Sequence, residues 1–91
     1  MRSPSYSSQF QRDVKRLQKR GKDLAKLKKL IELLLAGQAL PAQYKDHLLK
    51  LNWAGYRDAH VEPDWVLIYS ATAEKVHLER TGTHEELFES D

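Results

Sequence analysis

The sequence predicts an α+β domain, an N-terminal helical hairpin packed on one face of a small, mostly antiparallel sheet. Two observations carry this expectation. Apolar residues recur at helical spacing up to about residue 48 and alternate at period two beyond it. Gly21, Gly37 and Pro41 punctuate the first half, where helices need to stop, and Pro63 and Gly82 punctuate the second. Helices followed by a β-meander give a sheet with its helices on one side. A chain of 91 residues holds one such core and no second, so a single domain over 1–91 is expected.

Residues 1–6 are short and polar and fit an edge strand, where Pro4 is tolerated, or a ragged terminus. A first helix starts at Ser7 or Ser8, whose hydroxyls can cap free N–H groups, and carries Phe10, Val14 and Leu17 on one side up to Gly21. Asp23 can cap a second helix, with the stripe Leu24, Leu27, Leu30, Ile31, Leu34 and Leu35 and a stop at Gly37. The short turn between them implies an antiparallel pair. Pro41 opens a loop carrying Tyr44, Lys45, Asp46 and His47. Tyr56–Val61 and Val66–Ser70 read as strands joined by the turn Glu62-Pro63-Asp64-Trp65, and Val76–Arg80 as a third. A glycine turn at Gly82 then leads into one helical turn ending near Phe88.

Composition narrows the function. Without cysteine there is no disulfide scaffold, thiolate metal site or thiol nucleophile. Apolar runs such as Leu33 to Ala36 are far short of the roughly 20 residues a membrane helix needs. No charged-then-apolar leader opens the chain, so a cytoplasmic protein with no membrane partner is expected. The net charge of +2 is the sum of two unlike halves: residues 1–50 carry 12 Lys+Arg and 4 Asp+Glu, residues 51–91 carry 3 and 9. A basic half of this kind suits a polyanionic partner.

A four-residue turn at 62–65 pairs Val61 with Val66, His60 with Leu67, Ala59 with Ile68 and Asp58 with Tyr69. Alternation then puts Ala59, Val61, Val66 and Ile68 on the face that receives the helices. The other face gathers Tyr56, Asp58, His60, Leu67 and Tyr69, with Asp64 and Trp65 at the turn. Such a mixture of aromatic, acidic and imidazole groups marks a candidate site. The histidines at 47, 60, 77 and 84 have no i, i+4 pair, and nothing in their spacing supports a metal centre. No phosphate-cradling glycine loop or serine elbow occurs, so no cofactor is expected. Acid–base work on RNA suits the set: one imidazole takes the proton of a 2′-hydroxyl, another returns one to the leaving oxygen, and an arginine steadies the phosphate. His47, His60, His84, Asp64 and Arg80 supply those parts.

The run Gly55 to Tyr69, then Arg80-Thr81-Gly82-Thr83-His84 and Leu87-Phe88, with Tyr44-Lys45-Asp46-His47 and Lys19 to Asp23 upstream, closely resembles the YafQ subgroup of the RelE/ParE toxin superfamily. The resemblance implies a RelE-like, microbial-ribonuclease-like fold. It also implies a toxin of a type II toxin–antitoxin system that enters the ribosomal A site and cuts mRNA by 2′-hydroxyl attack without a metal. The partners it implies are the ribosome with its mRNA and a cognate antitoxin, through which alone the complex touches operator DNA. His47, His60, Asp64 and His84 match the subgroup's acid–base residues, Arg80 its phosphate-contacting arginine, and Trp65 and Phe88 its aromatic groups at the site edge. His84 is the expected general acid, with Asp64 and His60 activating the 2′-hydroxyl. The basic helix residues Arg12, Lys15, Arg16, Lys19, Arg20, Lys26, Lys28 and Lys29 are then expected to grip ribosomal RNA phosphates.

The chain departs from the subgroup pattern at Leu48, where relatives have proline after the histidine, and at Leu51 and Ala54 around Trp53. Residues also have plainer readings. Trp53 and Trp65 can be packing residues, His77 a solvated strand residue, and Asp58 an orienting partner for Arg57 or a tyrosine. Strict alternation puts Arg80 on the side of Val76 and Leu78, which a bulge would correct. The rival function is that of ParE-like relatives, which bind DNA gyrase and cut no RNA. A cluster of histidines with Asp64 and Arg80 has no use there.

Overall fold

The computed structural model describes residues 1–88. In chain order they form β1 (Ser3–Tyr6), α1 (Ser8–Lys19), α2 (Leu24–Leu35), β2 (His47–Leu48), β3 (Arg57–Glu62), β4 (Trp65–Ala71), β5 (Lys75–Thr83) and α3 (His84–Phe88). Short 3₁₀ turns at Ala42–Tyr44 and Leu51–Trp53 flank β2. The five strands make one sheet in the order β1-β5-β4-β3-β2. β1 is an edge strand running parallel to β5, from Ser3 opposite Lys75 to Tyr6 opposite Leu78, and every other pair is antiparallel. Beyond the expected meander, β2 is a strand that composition did not signal, because two residues are too few to show alternation.

Local chemistry sets the helices. Ser7 caps α1, its Oγ accepting the Phe10 N–H at 2.9 Å and donating to the Glu79 carbonyl at 2.6 Å, so one hydroxyl both starts the helix and ties it to β5. The helix ends at Arg20, and Gly21 takes the left-handed turn (φ +79°) that an L side chain resists. Asp23 caps α2 through the Ala25 N–H at 3.1 Å.

The core lies between the helices and one face of the sheet. Phe10 and Leu17 from α1 and Leu27, Leu30 and Leu34 from α2 pack on Ala59, Trp65, Leu67, Tyr69, Val76 and Leu78. Val66 and Ile68 belong to a second cluster with Leu87, against which Leu49, Trp53, Tyr56 and Phe88 pack. The expected assignment of faces is therefore corrected on β4: Val66 and Ile68 turn away from the helices, and Leu67 and Tyr69 turn toward them. The cause is a bulge. Glu62 pairs with Trp65 as expected, but the register shifts between His60 and Glu62, so His60 faces Val66, Ala59 faces Leu67 and Asp58 faces Ile68. Five consecutive buried apolar residues, Trp65 to Tyr69, mark β4 as a central strand covered on both sides, and such a run carries no alternation from which parity could be read.

β5 also runs further than expected, to Thr83, with its own bulge where Tyr69 pairs Leu78 and Ile68 pairs Arg80. That bulge supplies the shift Arg80 needed. Gly82 is thus a strand residue and not a turn. A Cβ there would lie 3.1 Å from Glu86 Oε1 and 3.3 Å from Arg16 Nη2, so a larger residue would press on both members of that ion pair. His77 is half-buried and bridges strands, with Nδ1 2.7 Å from Ser5 Oγ and Nε2 2.8 Å from Glu79 Oε1.

Candidate active site

The site forms on the sheet face away from α1 and α2, and three devices position its side chains. The first anchors β2. Arg57 donates two hydrogen bonds to Asp46, Nε at 3.1 Å and Nη2 at 3.0 Å, and the Tyr69 hydroxyl donates a third at 2.5 Å. Burial first, then the Asp46 carboxylate, keeps the Tyr69 hydroxyl protonated well above its ordinary range. With Asp46 held and Lys45 in a left-handed turn (φ +48°), His47 falls directly opposite Asp58 in the ladder. The role of orienting Arg57 and a tyrosine, foreseen for Asp58, belongs to Asp46.

The second device opens α3. The Thr83 hydroxyl accepts the Glu86 N–H at 3.1 Å while Glu86 Oε1 accepts the Thr83 N–H at 3.0 Å, a reciprocal capping box. Glu86 Oε2 also meets Arg16 Nε at 3.2 Å and Arg20 Nη2 at 3.0 Å, which joins α3 to α1. Burial opposes ionisation of Glu86, but the Thr83 N–H and the two arginines outweigh it and hold its pKa below the usual carboxylate range. His84 is the first residue of the capped helix. The third device is an aromatic wall: the His84 ring lies 4.6 Å from Phe88, Phe88 lies 6.4 Å from Trp53, and Trp53 meets Tyr56 edge-on at 5.7 Å.

These devices surround one carboxylate. Asp58 is 2% exposed, and its Oδ1 is buried without an aligned hydrogen bond, although His47 Nδ1 stands 2.9 Å away. The same Nδ1 is 2.9 Å from the Lys45 carbonyl oxygen, so two acceptor oxygens face one ring nitrogen. The His60 ring lies 6.4 Å from that of His47, with Nδ1 3.4 Å from the Pro63 carbonyl. Burial raises the Asp58 pKa above its ordinary value, and His47, His60 and His84 each pull it back down. Imidazoles, exposed at His47 and His84 and half-buried at His60, thus stand near a buried carboxylate, a set of groups suited to acid–base work. Among the described residues, no group of three or more His, Asp or Glu is placed to hold a metal ion.

The model of the family described as the bacterial toxin of type II toxin–antitoxin system, YafQ, matches residues 2–89. The chain belongs to the YafQ toxin family. It is 58% identical over 88 residues to the mRNA interferase toxin YafQ of Escherichia coli BL21(DE3), with 96% of each chain covered. It superposes on the crystal structure of that strain's YafQ with a TM-score of 0.92 at 56% identity, covering 97% of this chain and 99% of the other. On YafQ in the crystal structure of the E. coli DinJ–YafQ complex the TM-score is 0.90 at 57% identity, with the same coverage. A metal-bound toxin from Helicobacter pylori matches with a TM-score of 0.89 at 38% identity, covering 97% and 100%. The RelE-like α+β architecture expected from the resemblance is the one observed.

Of the residues the YafQ resemblance singled out, His47, His60, His84 and Phe88 gather on this face. Asp64 stands exposed at the hairpin tip, with no hydrogen bond or ion pair among the described residues. Trp65 is corrected: it is 0% exposed, buried on the helical face with Nε1 donating to Thr81 Oγ1 at 2.9 Å, and it is not at the site edge. The site-edge tryptophan is Trp53, read from sequence as a packing residue. The Arg80 guanidinium is tied to Asp13, Nε to Oδ2 at 2.7 Å and Nη2 to Oδ1 at 3.2 Å. Asp13, 1% exposed, also accepts from Arg16 Nη2 at 2.9 Å and the Thr81 N–H at 3.2 Å. Arg16 and Arg20, expected as RNA grips, also make intramolecular ion pairs while staying partly exposed, and Lys26 is bound to Glu62 at 2.9 Å. Arg12, Lys15, Lys19, Lys28 and Lys29 are exposed and make no ion pair among the described residues. Sequence reading gave Asp58 only an orienting role and assigned none to Asp13 or Glu86. For Asp58 the signal was present, since alternation already placed it beside His60.

Proposed function

We propose that this chain is a ribosome-dependent mRNA endonuclease, the toxin of a type II toxin–antitoxin pair, which cuts codons in the A site and so stops translation. The observation that carries the reading is the gathering of His47, His60 and His84 around the buried Asp58 on an open sheet face. The relatives named as mRNA interferases cover nearly the whole chain, which supports an endoribonuclease. In the reaction, a base removes the proton of a 2′-hydroxyl, and the 2′-oxygen attacks the adjacent phosphorus. The P–O5′ bond breaks, and an acid protonates the leaving 5′-oxygen, giving a 2′,3′-cyclic phosphate and a 5′-hydroxyl. His84, exposed at the start of α3, is the acid. His60, with Asp64 at the adjoining hairpin tip, activates the 2′-hydroxyl, and His47 with Asp58 stores the proton between the two halves. Arg80 meets the phosphate through the Nη1 edge that Asp13 leaves over.

Exposed cations on α1 and α2 suit ribosomal RNA, and the E. coli DinJ–YafQ complex supports a cognate antitoxin as the protein partner, through which operator DNA would be reached. The test is mRNA cleavage in a purified translation system, with and without ribosomes, for wild type and His84→Ala. In-frame cuts that require both ribosomes and His84 support the reading. Intact message together with stable binding to DNA gyrase moves the chain to the class of toxins that act by binding alone.

A further inference from the structure

A second feature shares His60 with the histidine cluster and is otherwise unused in the chemistry above. Because β2 pairs only Arg57 and Asp58, the rest of β3 has no ladder partner on that edge among the described residues, and the 3₁₀ turn Ala42–Tyr44 packs beside it. Between them lies a cleft of about 190 Å³, roughly six water volumes, lined by Gln43, Tyr44, Lys45, His60, Val61 and Pro63 together with Glu62. A second hollow of about 260 Å³ shares Gln43, Tyr44 and Val61 and leads on to Lys26 and Lys29 of α2. Both irregular stretches of backbone on this edge flank the cleft: the left-handed Lys45 on one side and the β3 bulge at Val61 on the other. Each costs free energy in an ordered protein and persists where the fold over-determines it.

We propose that this cleft is a nucleotide subsite for the RNA strand. It takes the base next to the cleaved linkage between Tyr44, Val61 and Pro63, offers the Gln43 amide to the base edge, and hands the following phosphates to Lys45 and Lys29. The inference rests on the endonuclease reading and locates its substrate. His60 belongs to both the cluster and the cleft, so a nucleotide held here is adjacent to the reacting one. A side-chain amide presents a donor and an acceptor in fixed geometry, which is how amides discriminate bases. Glu62 adds a carboxylate to the wall, but Lys22 Nζ at 3.3 Å and Lys26 Nζ at 2.9 Å meet its two oxygens, and the rim remains cationic. An RNA backbone fits that sign.

Two measurements separate this subsite from the activity. In the first, RNA trinucleotides with a 2′-deoxy middle residue, which cannot be cut there, are titrated into the labelled protein. Amide shifts are expected at Gln43, Tyr44, Lys45 and His60–Glu62, with affinity lowered about tenfold or more in Gln43→Trp, a variant whose bulk fills the cleft from an exposed position. Unchanged core signals from Leu17 and Leu30 show that the variant is folded. Shifts confined to other surfaces overturn the proposal. In the second, 5′ ends of cleaved message are sequenced for wild type and Gln43→Ala. Base preference at one position beside the cut drops about fivefold or more in the variant. An unchanged profile overturns the base-reading role. If the wild type makes no cuts, the endonuclease reading falls, and the titration still decides the subsite.

Discussion

Asp58 and His47 face each other across β3 and β2 at 2.9 Å, yet Asp58 Oδ1 takes no aligned hydrogen bond, because the Lys45 carbonyl competes for the same imidazole proton. A buried carboxylate left in this state makes the fold less stable when it is charged. Its folded pKa is raised above the ordinary 3.8, so the associated stability is intact below that pH, declines as pH rises through the folded value, and stays lost at neutrality. Asp58→Asn is therefore expected to raise the melting temperature at pH 7 by roughly 2–6 °C, with no gain below the window. Cleavage is expected to fall about 10²-fold or more if the carboxylate serves the proton transfers. Melting curves from pH 3 to 8 and cleavage rates check both arms. Higher stability with full cleavage would make Asp58 a structural fault and nothing else.

Glu86 shows the opposite sign. Its folded pKa is lowered from 4.5, so its stabilisation is present above that pH and is lost as pH falls through the folded value. Glu86→Gln is expected to cost about 1–2 kcal/mol at pH 7, through the cap and the charge-assisted contacts with Arg16 and Arg20. Wild type and variant are expected to converge in urea titrations as the pH falls below the folded value, which lies under 4.5. A stability difference that persists in acid would show that the charge contributes nothing.

His84→Gln is expected to abolish cleavage while ribosome binding is kept, since the exposed lysines of α1 and α2 are untouched. Phe88→Leu and Trp53→Leu are expected to leave a slower enzyme, down about tenfold, by loosening the ring against which His84 rests. Growth arrest in cells and primer extension on a reporter message distinguish these outcomes. Undiminished arrest by the His84 variant would remove that residue from the mechanism.

The basic residues divide into two classes with different readouts. Lys15→Glu, Lys19→Glu and Lys28→Glu are expected to weaken ribosome binding and to flatten its dependence on salt. The log–log slope should fall by roughly 0.7–0.9 for each RNA phosphate that is no longer neutralised. Their melting temperatures are expected to stay near that of the wild type. Arg16→Glu is expected to unfold the protein more readily instead, because it turns two ion pairs into repulsions.

Asp13→Asn is expected to destabilise by about 3 kcal/mol, since it leaves Arg80 and Arg16 facing a neutral amide in a largely dry setting. A loss of cleavage larger than the loss of folded protein, measured at a temperature where the variant remains folded, would show that Asp13 also positions Arg80.

The helices, their caps and the strand order from β3 to β5 were legible because each carries a local signal: Ser7, Asp23 and Gly21 at helix ends, Pro63 in the hairpin turn. Face assignment failed at β4 for a physical reason. A strand that is apolar at every position from Trp65 to Tyr69 has no period, and a single bulged residue, Val61, reverses the parity inferred from the turn. Val66 and Ile68 were misplaced by that reversal, while the site-edge position of Trp65 came from the family resemblance. In the site, the imidazoles were found by residue type and by family resemblance. The carboxylates that organise the surroundings were missed, because Asp13 and Glu86 act through contacts spanning most of the chain length, which no short-range spacing reveals.

The parallel pairing of β1 with β5 has a consequence for the order of events in synthesis. The first strand made must wait for the last: Ser3–Tyr6 has no partner until Lys75–Leu78 exists, and Ser7 cannot bind the Glu79 carbonyl before then. Glu86, which joins α3 to Arg16 and Arg20, comes later still. An elongating chain that has not yet reached these residues carries its cationic helices without the shelf against which they pack and without His84. Contacts of such long sequence separation also form slowly. The sheet edge at β1 and the face that carries His84 are therefore completed only after β5 and α3 have emerged.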